Sequence, residues 1–246
     1  MTQRQVTGRP IQALIVAAGM GTRLRGLAVS KPLAKVAGVP LIESAMDSAA
    51  QAGVTEFVVV TGYEGDRLEA FLAKLAKRRH LSIKTVRNDQ WTLSNGLSVI
   101  AAAPVLRDQF VLMMSDHLFE PGLLRDLLAA PKLPGGVVLA VDRRMDNPLV
   151  DLEDVTRVLT DDAGRILNIG KLIDTYHAFD TGLFCASKGL VRAIADDHAA
   201  GGAGSISAGM LRLAPLGLAR VHDIGERFWL DVDDPVAHGH AERLRA

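Results

Sequence analysis

Residues Ile11 to Ala18 form a near-continuous apolar run that leads straight into Gly19-Met20-Gly21-Thr22-Arg23. A strand apolar at every position has to be covered on both faces, which is the situation of a parallel strand inside an α/β layer. Glycines at its end let backbone N–H groups approach an anion without Cβ obstruction. Ligands of open α/β sheets bind just beyond the carboxyl ends of such strands.

The rest of the first half repeats the strand–helix alternation. Leu41 to Ala52 reads as a helix with Ile42, Ala45, Met46 and Ala49 on one face and Gly53 as its stop. Strands are expected over Glu56 to Val60, Ser82 to Val86 and Phe110 to Met114, and helices over Asp66 to Arg79 and Gly96 to Ala103. That order predicts an α/β fold with a mainly parallel sheet. Beyond Pro121 the rhythm changes. Val155 to Thr160 and Arg165 to Ile169 flank Asp161-Asp162-Ala163-Gly164 as a hairpin, in a part with helices at Pro121 to Ala130, Gly189 to His198, Ile206 to Leu213 and Pro235 to Arg245. Strands are read at Gly136 to Val141, Phe179 to Ala186, Arg220 to Asp223 and Phe228 to Leu230. No repeat or low-complexity linker divides the chain, so one domain with an antiparallel part is expected.

Composition narrows the function. The chain has 246 residues, 48% of them hydrophobic, enough for a large core. With 28 Lys+Arg against 28 Asp+Glu and 4% aromatics, neither a polyanion surface nor a base-stacking platform is expected, so nucleic acid is not a partner. The single Cys185 excludes a disulfide framework and reads as a core residue. No apolar run reaches a membrane span of about 18 residues, and a soluble cytoplasmic protein is expected.

The zero net charge hides an uneven distribution. Met1 to Ile42 holds no acid and six cations: Arg4, Arg9, Arg23, Arg25, Lys31 and Lys35. A basic tail would explain Arg4 and Arg9. It would not explain the four that directly follow the buried strand, in a long loop from Gly19 to Pro40. These could surround a triphosphate, Arg by bidentate contacts and Lys as a movable point charge; the alternative is a solvated basic loop. Neither standard glycine motif fits. Lys31 comes too late for a Walker A loop, and Leu24 stands where the dinucleotide fingerprint needs its third glycine.

Carboxylates recur at strand ends. Asp116 follows the strand ending at Met114, and Asp231 and Asp233 alternate across Val232, so in an extended segment both point the same way. Hard oxygen donors of this kind suit Mg²⁺, which usually takes one or two carboxylates plus substrate phosphates. Asp234 before Pro235 reads as the cap of the last helix. Asn88, Gln90, Asn95 and Ser98 could read a base edge and ribose, though turn chemistry and capping are the plain alternative.

The stretch Ala17 to Leu24 followed by Lys31-Pro32-Leu33 resembles the opening motif of the sugar-phosphate nucleotidyltransferases. The resemblance implies a Rossmann-like nucleotidyltransferase fold as one domain over 1–246, with a nucleotide-binding half (1–120) and an acceptor-binding half with the C-terminal helix (121–246). It implies that Ala17, Ala18, Gly19, Gly21 and Thr22 hold the nucleoside triphosphate, that Arg23 contacts its phosphates, and that Lys31 neutralises charge at the α-phosphate. Ser115-Asp116-His117 is similar to the family's metal-binding segment, with Ser115 where Gly is common. Trp229-Leu230-Asp231-Val232-Asp233 resembles the matching C-terminal stretch of its cytidylyltransferases. Asn95-Gly96-Leu97-Ser98 looks like their Asn-Gly-x-Ser element, which favours CTP. Lys171 resembles the lysine that holds the acceptor phosphate, and Asp180-Thr181-Gly182 the acceptor-pocket segment.

An acid with His177 near the acceptor suits a polyol. A quaternary ammonium would call for an aromatic cage, and only Trp91, Tyr176 and Phe179 are candidates for one. Most of the chain resembles the CTP:inositol-1-phosphate cytidylyltransferases, which implies Mg²⁺-dependent transfer of CMP to a phosphorylated polyol. Phosphocholine and hexose-1-phosphate transferases, or a non-catalytic nucleotide-binding homologue, are the alternatives. Related inositol enzymes are sometimes fused to a membrane synthase, so a separate synthase using the CDP product is expected.

Overall fold

The computed structural model describes residues 10–24 and 26–245; Arg4, Arg9 and Arg25 lie outside the described residues. Strand β1 (Ile11–Ala17) is followed by a small hairpin, β2 (Lys35–Val36) with β3 (Val39–Pro40), and helix α1 (Leu41–Gln51). Next come β4 (Val54–Thr61), α2 (Gly65–Arg79), β5 (Ser82–Arg87), α3 (Gly96–Ala102), β6 (Gln109–Met114) and β7 (His117–Phe119). The second half runs α4 (Pro121–Ala129), β8 (Val137–Asp142), β9 (Arg157–Thr160), β10 (Ile166–Gly170), β11 (Ala178–Ser187), α5 (Lys188–Ala199) and α6 (Ile206–Leu213). It closes with β12 (Ala219–Asp223), β13 (Trp229–Asp231) and α7 (Pro235–Arg245).

One large sheet organises the molecule. Strands β5, β4, β1 and β6 lie side by side in parallel, and β11 joins β6 antiparallel and carries β8 and β9 on its other edge. The α/β reading therefore holds, with a parallel core and an antiparallel flank. The apolar-throughout strands are explained by two cores, one on each face. Ala13, Ile15 and Ala17 of β1 and Phe57 and Val59 of β4 pack under α1, α2 and α4. The alternate residues Leu14, Ala18, Val58 and Val60 pack with α3, α5 and α6 on the opposite face. Cys185 on β11 belongs to the first of these cores, and burial pushes its thiol up to about 11.

Two parts differ from the sequence reading. The stretch Gly19 to Pro40, expected as one long loop, contains two short 3₁₀ turns and the β2–β3 hairpin. It is held by a third core in which Leu24, Ala34 and Val36 meet Leu118, Leu230, Val232 and Ala241. Burying each of the larger of these side chains is worth roughly 1.5–3 kcal/mol, enough to give the segment a fixed path. The second difference is β7, too short to show a period, which pairs with β13 antiparallel so that His117 faces Asp231. The Asp234 carboxylate accepts from the N–H groups of Val236 (2.6 Å) and Ala237 (2.8 Å) and caps α7.

Candidate active site

The topology brings distant residues to one sheet edge. Strands β1 and β6 are parallel neighbours, so the glycine segment after Ala17 and Asp116 after Met114 emerge side by side. Because β11 runs the other way, with Leu183 opposite Met113, its beginning at Asp180 to Gly182 lies at the same edge. The β7–β13 ladder and a bond from the Val232 N–H to the Asp116 carbonyl (3.1 Å) then set Asp231 and Asp233 beside Asp116.

Lys31 stands at the centre. It is buried, its ammonium lies 2.5 Å from the Asp116 carboxylate, and it also pairs with Asp233. Gly21 makes room for it: φ there is +60°, and a Cβ would collide with the Lys31 side chain. Two cavities meet at this lysine. One, of about 250 Å³, is lined by Ala17, Ala18, Gly19, Gly21, Trp91, Asn95, Ser98 and Ser115. The other, of about 280 Å³, is lined by Asp154, Lys171, Asp180, Gly182, Trp229 and Asp231. Lys31, Asn95, Met114, Asp116 and Asp233 line both.

Several residues read as binding groups do other work. Thr22 is exposed, opens a 3₁₀ turn and lines neither cavity. Asn88 is buried and satisfied internally: its Nδ2 donates to Ser98 Oγ (3.0 Å) and its Oδ1 accepts from the Gln90 N–H (2.9 Å). The Gln90 side chain is exposed, and Gly96 is buried at the start of α3; neither lines a cavity. Thr181 Oγ donates to the Ala140 carbonyl (2.8 Å), so its hydroxyl serves the sheet. Asp180 accepts from the Gly182 N–H (2.7 Å), and burial raises it to about 6. His177 bonds Thr160 (2.9 Å) away from the cavities, Tyr176 packs on Phe179 and Arg157, and Trp91 belongs to the glycine-side cavity with Tyr63 against its edge.

Two residues escaped the sequence reading. Asp154, on the β8–β9 connection, lies 2.5 Å from both Arg23 and Lys171; Arg23 also pairs with Asp233. His117 is buried beneath the acids: its Nδ1–H donates to the Thr181 carbonyl (2.7 Å) and its Nε2 lies 3.4 Å from Asp231. A Cβ on Gly182, where φ is +73°, would collide with this ring. Burial alone would lower the His117 pKa, but the charge of Asp231 and its hydrogen bond, with Asp116 and the Thr181 carbonyl, raise it to about 10. The ring is thus an imidazolium at neutral pH. Burial, and then the charge of Asp231, raises Asp116 to about 7. Burial would also raise Asp231, yet His117 holds it below the ordinary carboxylate range. A short motif carried the signal for His117, next to Asp116; nothing in the sequence around Asp154 marked it.

Carboxylate oxygens of Asp154, Asp231 and Asp233 lie within 4.8 Å of one another, and Asp231 also groups with Asp116 and His117. The Asp231 Oδ1 is buried without a hydrogen-bond partner, an orphaned hard donor of the kind a divalent cation satisfies.

Residues 13–212 match the MobA-like NTP transferase domain. The chain belongs to that family. Among its relatives, the bifunctional IPC transferase and DIPP synthase of Rubrobacter xylanophilus is 35% identical over 96% of the chain, which spans 52% of that protein's length. A 2-aminoethylphosphonate cytidylyltransferase of Lancefieldella rimae is 31% identical, over 76% of the chain and 72% of the relative. The inositol-1-phosphate CTP transferase of T. maritima superposes with a TM-score of 0.83 at 26% identity, covering 97% of both chains. Among the described residues, no helix is long and apolar enough to cross a membrane.

Proposed function

We propose that this NTP transferase is a cytidylyltransferase that moves CMP from CTP to a phosphorylated polyol, inositol 1-phosphate, giving CDP-inositol and pyrophosphate. The observation that carries the reading is the pair of cavities meeting at Lys31, Asp116 and Asp233: one has glycine-lined backbone, the other a second lysine, Lys171. The name of the T. maritima neighbour supports CTP and the inositol acceptor.

In this reading an acceptor phosphate oxygen attacks the α-phosphorus of CTP in line. The new O–P bond forms as the bond to the β-phosphate breaks, and pyrophosphate leaves with the electron pair. The attacking phosphate is already ionised, so no general base is needed, and catalysis consists of positioning and charge neutralisation. Lys31, buried where the cavities meet, offsets charge at the transferring phosphorus in a site where little water screens it. Arg23 contributes to the triphosphate and Lys171 orients the nucleophile. Asp180, with one carboxylate oxygen bound to the Gly182 N–H, offers the other to acceptor hydroxyls. Asp231 and Asp233, with Asp116, would hold Mg²⁺, which when bound supplies divalent charge to the triphosphate.

The acid-rich wall of the acceptor cavity, with Asp151, Asp154, Asp180 and Asp231, favours a second reading in which an aminoalkylphosphonate is the acceptor, as in the Lancefieldella relative's name. A panel of inositol 1-phosphate, 2-aminoethylphosphonate, phosphocholine and glucose 1-phosphate, crossed with CTP, UTP and dTTP and read by pyrophosphate release, separates these. Turnover confined to CTP and inositol 1-phosphate is expected; turnover with no pair in the panel overturns the reading. Asp116→Asn should abolish that turnover with the fold intact, and near-normal turnover would refute its role.

A further inference from the structure

We infer that Asp154 is an internal anion that competes with substrate phosphates for Arg23 and Lys171, and thereby couples the two substrate cavities. The inference rests on the transferase reading above. One carboxylate oxygen of Asp154 meets Arg23, which lines neither cavity and which the transferase reading assigns to the triphosphate, at 2.5 Å; the other meets Lys171, which lines the acceptor cavity, at 2.5 Å. The two cations come from elements far apart in sequence, and this single side chain joins them.

The position of Asp154 needs both partners. Its carboxylate stands within 4.8 Å of those of Asp231 and Asp233, like charges that repel it. The turn that carries it is a short surface segment, held by bonds from the Asp154 N–H (3.2 Å) and the Val155 N–H (2.9 Å) to the Asp151 carbonyl. A phosphate that takes either cation removes half of the attraction and adds another negative charge beside Asp154. Expulsion of Asp154 then takes one carboxylate off the second cation, leaving Lys171 free or Arg23 with Asp233 alone. An anion on one side therefore assists an anion on the other, and linkage requires the assistance to be reciprocal. The Arg23 and Lys171 side chains are 42% and 53% exposed, so solvent screens the pairs and the effect is a small factor that fades at high ionic strength.

The test uses two ligands that cannot react together: α,β-methylene CTP with Mg²⁺, whose α–β link cannot break, and inorganic phosphate as the probe of the Lys171 side. In the wild type each should bind about 3-fold tighter when the other is present, as titration calorimetry at low ionic strength would read. In Asp154→Asn each alone should bind about 3-fold tighter than to the wild type, and the coupling should vanish. Glu153→Gln, an exposed neighbour with the same loss of charge, should match the wild type. Absence of coupling in the wild type overturns the inference without recourse to any variant. Weaker nucleotide binding by Asp154→Asn also overturns it and makes Asp154 a metal or substrate ligand. If the wild type binds no nucleotide at all, the transferase reading falls as well.

Discussion

Asp142→Ala tests what holds the strand that delivers Asp231 and Asp233. Asp142 ends β8, is fully buried, and accepts from the Arg144 backbone N–H, Nε and Nη2 at 2.9 Å each, from Asn147 Nδ2 at 2.8 Å and from Trp229 Nε1 at 2.8 Å. Trp229 begins β13, two residues before Asp231, so this carboxylate ties the antiparallel flank to the site. Removing it strands a buried indole N–H and the Arg144 charge. Breaking a buried charge pair from one side costs about 3–5 kcal/mol. Arg144 remains 28% exposed and can recover some water, so about 3 kcal/mol is expected.

For a chain of this length that lowers Tm by roughly 6–12 °C. Burial would raise the Asp142 pKa, but the bonds from Arg144, Trp229 and Asn147 hold it below the ordinary range. Its stabilising effect is therefore complete above the unfolded carboxylate value of about 3.9 and is lost as pH falls through the lower folded value. Urea unfolding should show the wild-type advantage undiminished from neutral pH to about 5, then shrinking in stronger acid. Trp229→Phe, which deletes the donor and also leaves a cavity where the smaller ring fails to fill the buried indole's place, should cost about 2–3 kcal/mol. A loss under about 1 kcal/mol for Asp142→Ala at neutral pH would show that this carboxylate does not hold β13 in place.

Other changes probe the site more directly. Lys31→Ala should lower kcat by roughly 10²- to 10³-fold in the pyrophosphate-release assay, since it removes the cation buried where the cavities meet; a loss under tenfold would contradict its place in the mechanism. Gly182→Ala, strained at φ +73° and driven into the His117 ring, should destabilise the fold by about 1–3 kcal/mol in urea unfolding and lower turnover, whereas a wild-type midpoint would contradict that packing. The raised Cys185 thiol should react with iodoacetamide about 100-fold more slowly in the native protein than after unfolding near neutral pH, and equal rates would count against its burial.

The parallel core and its working edge are legible in the linear order of residues. Strands such as β1 and β4 carry apolar residues on both faces because both faces are covered, and that pattern survives without any knowledge of the partners. The glycines after β1 and Asp116 after β6 were legible for the same reason: strand ends in a parallel sheet share one edge, so local order implies spatial proximity, whereas Lys31, Asp231 and Asp233 were legible through their motifs and reach that edge by the 3₁₀ turn and the separate β7–β13 ladder. The tertiary structure alone decided which polar groups reach the cavities. Asn88 and Thr181 carry the right chemistry, yet each spends its side chain on an internal bond at 3.0 Å or less. Asp154 and His117 gained their places through antiparallel pairing and a loop crossing between segments far apart in the chain. Such contacts have no period, and beyond the motif that sets His117 next to Asp116 only the folded arrangement of charges reveals them.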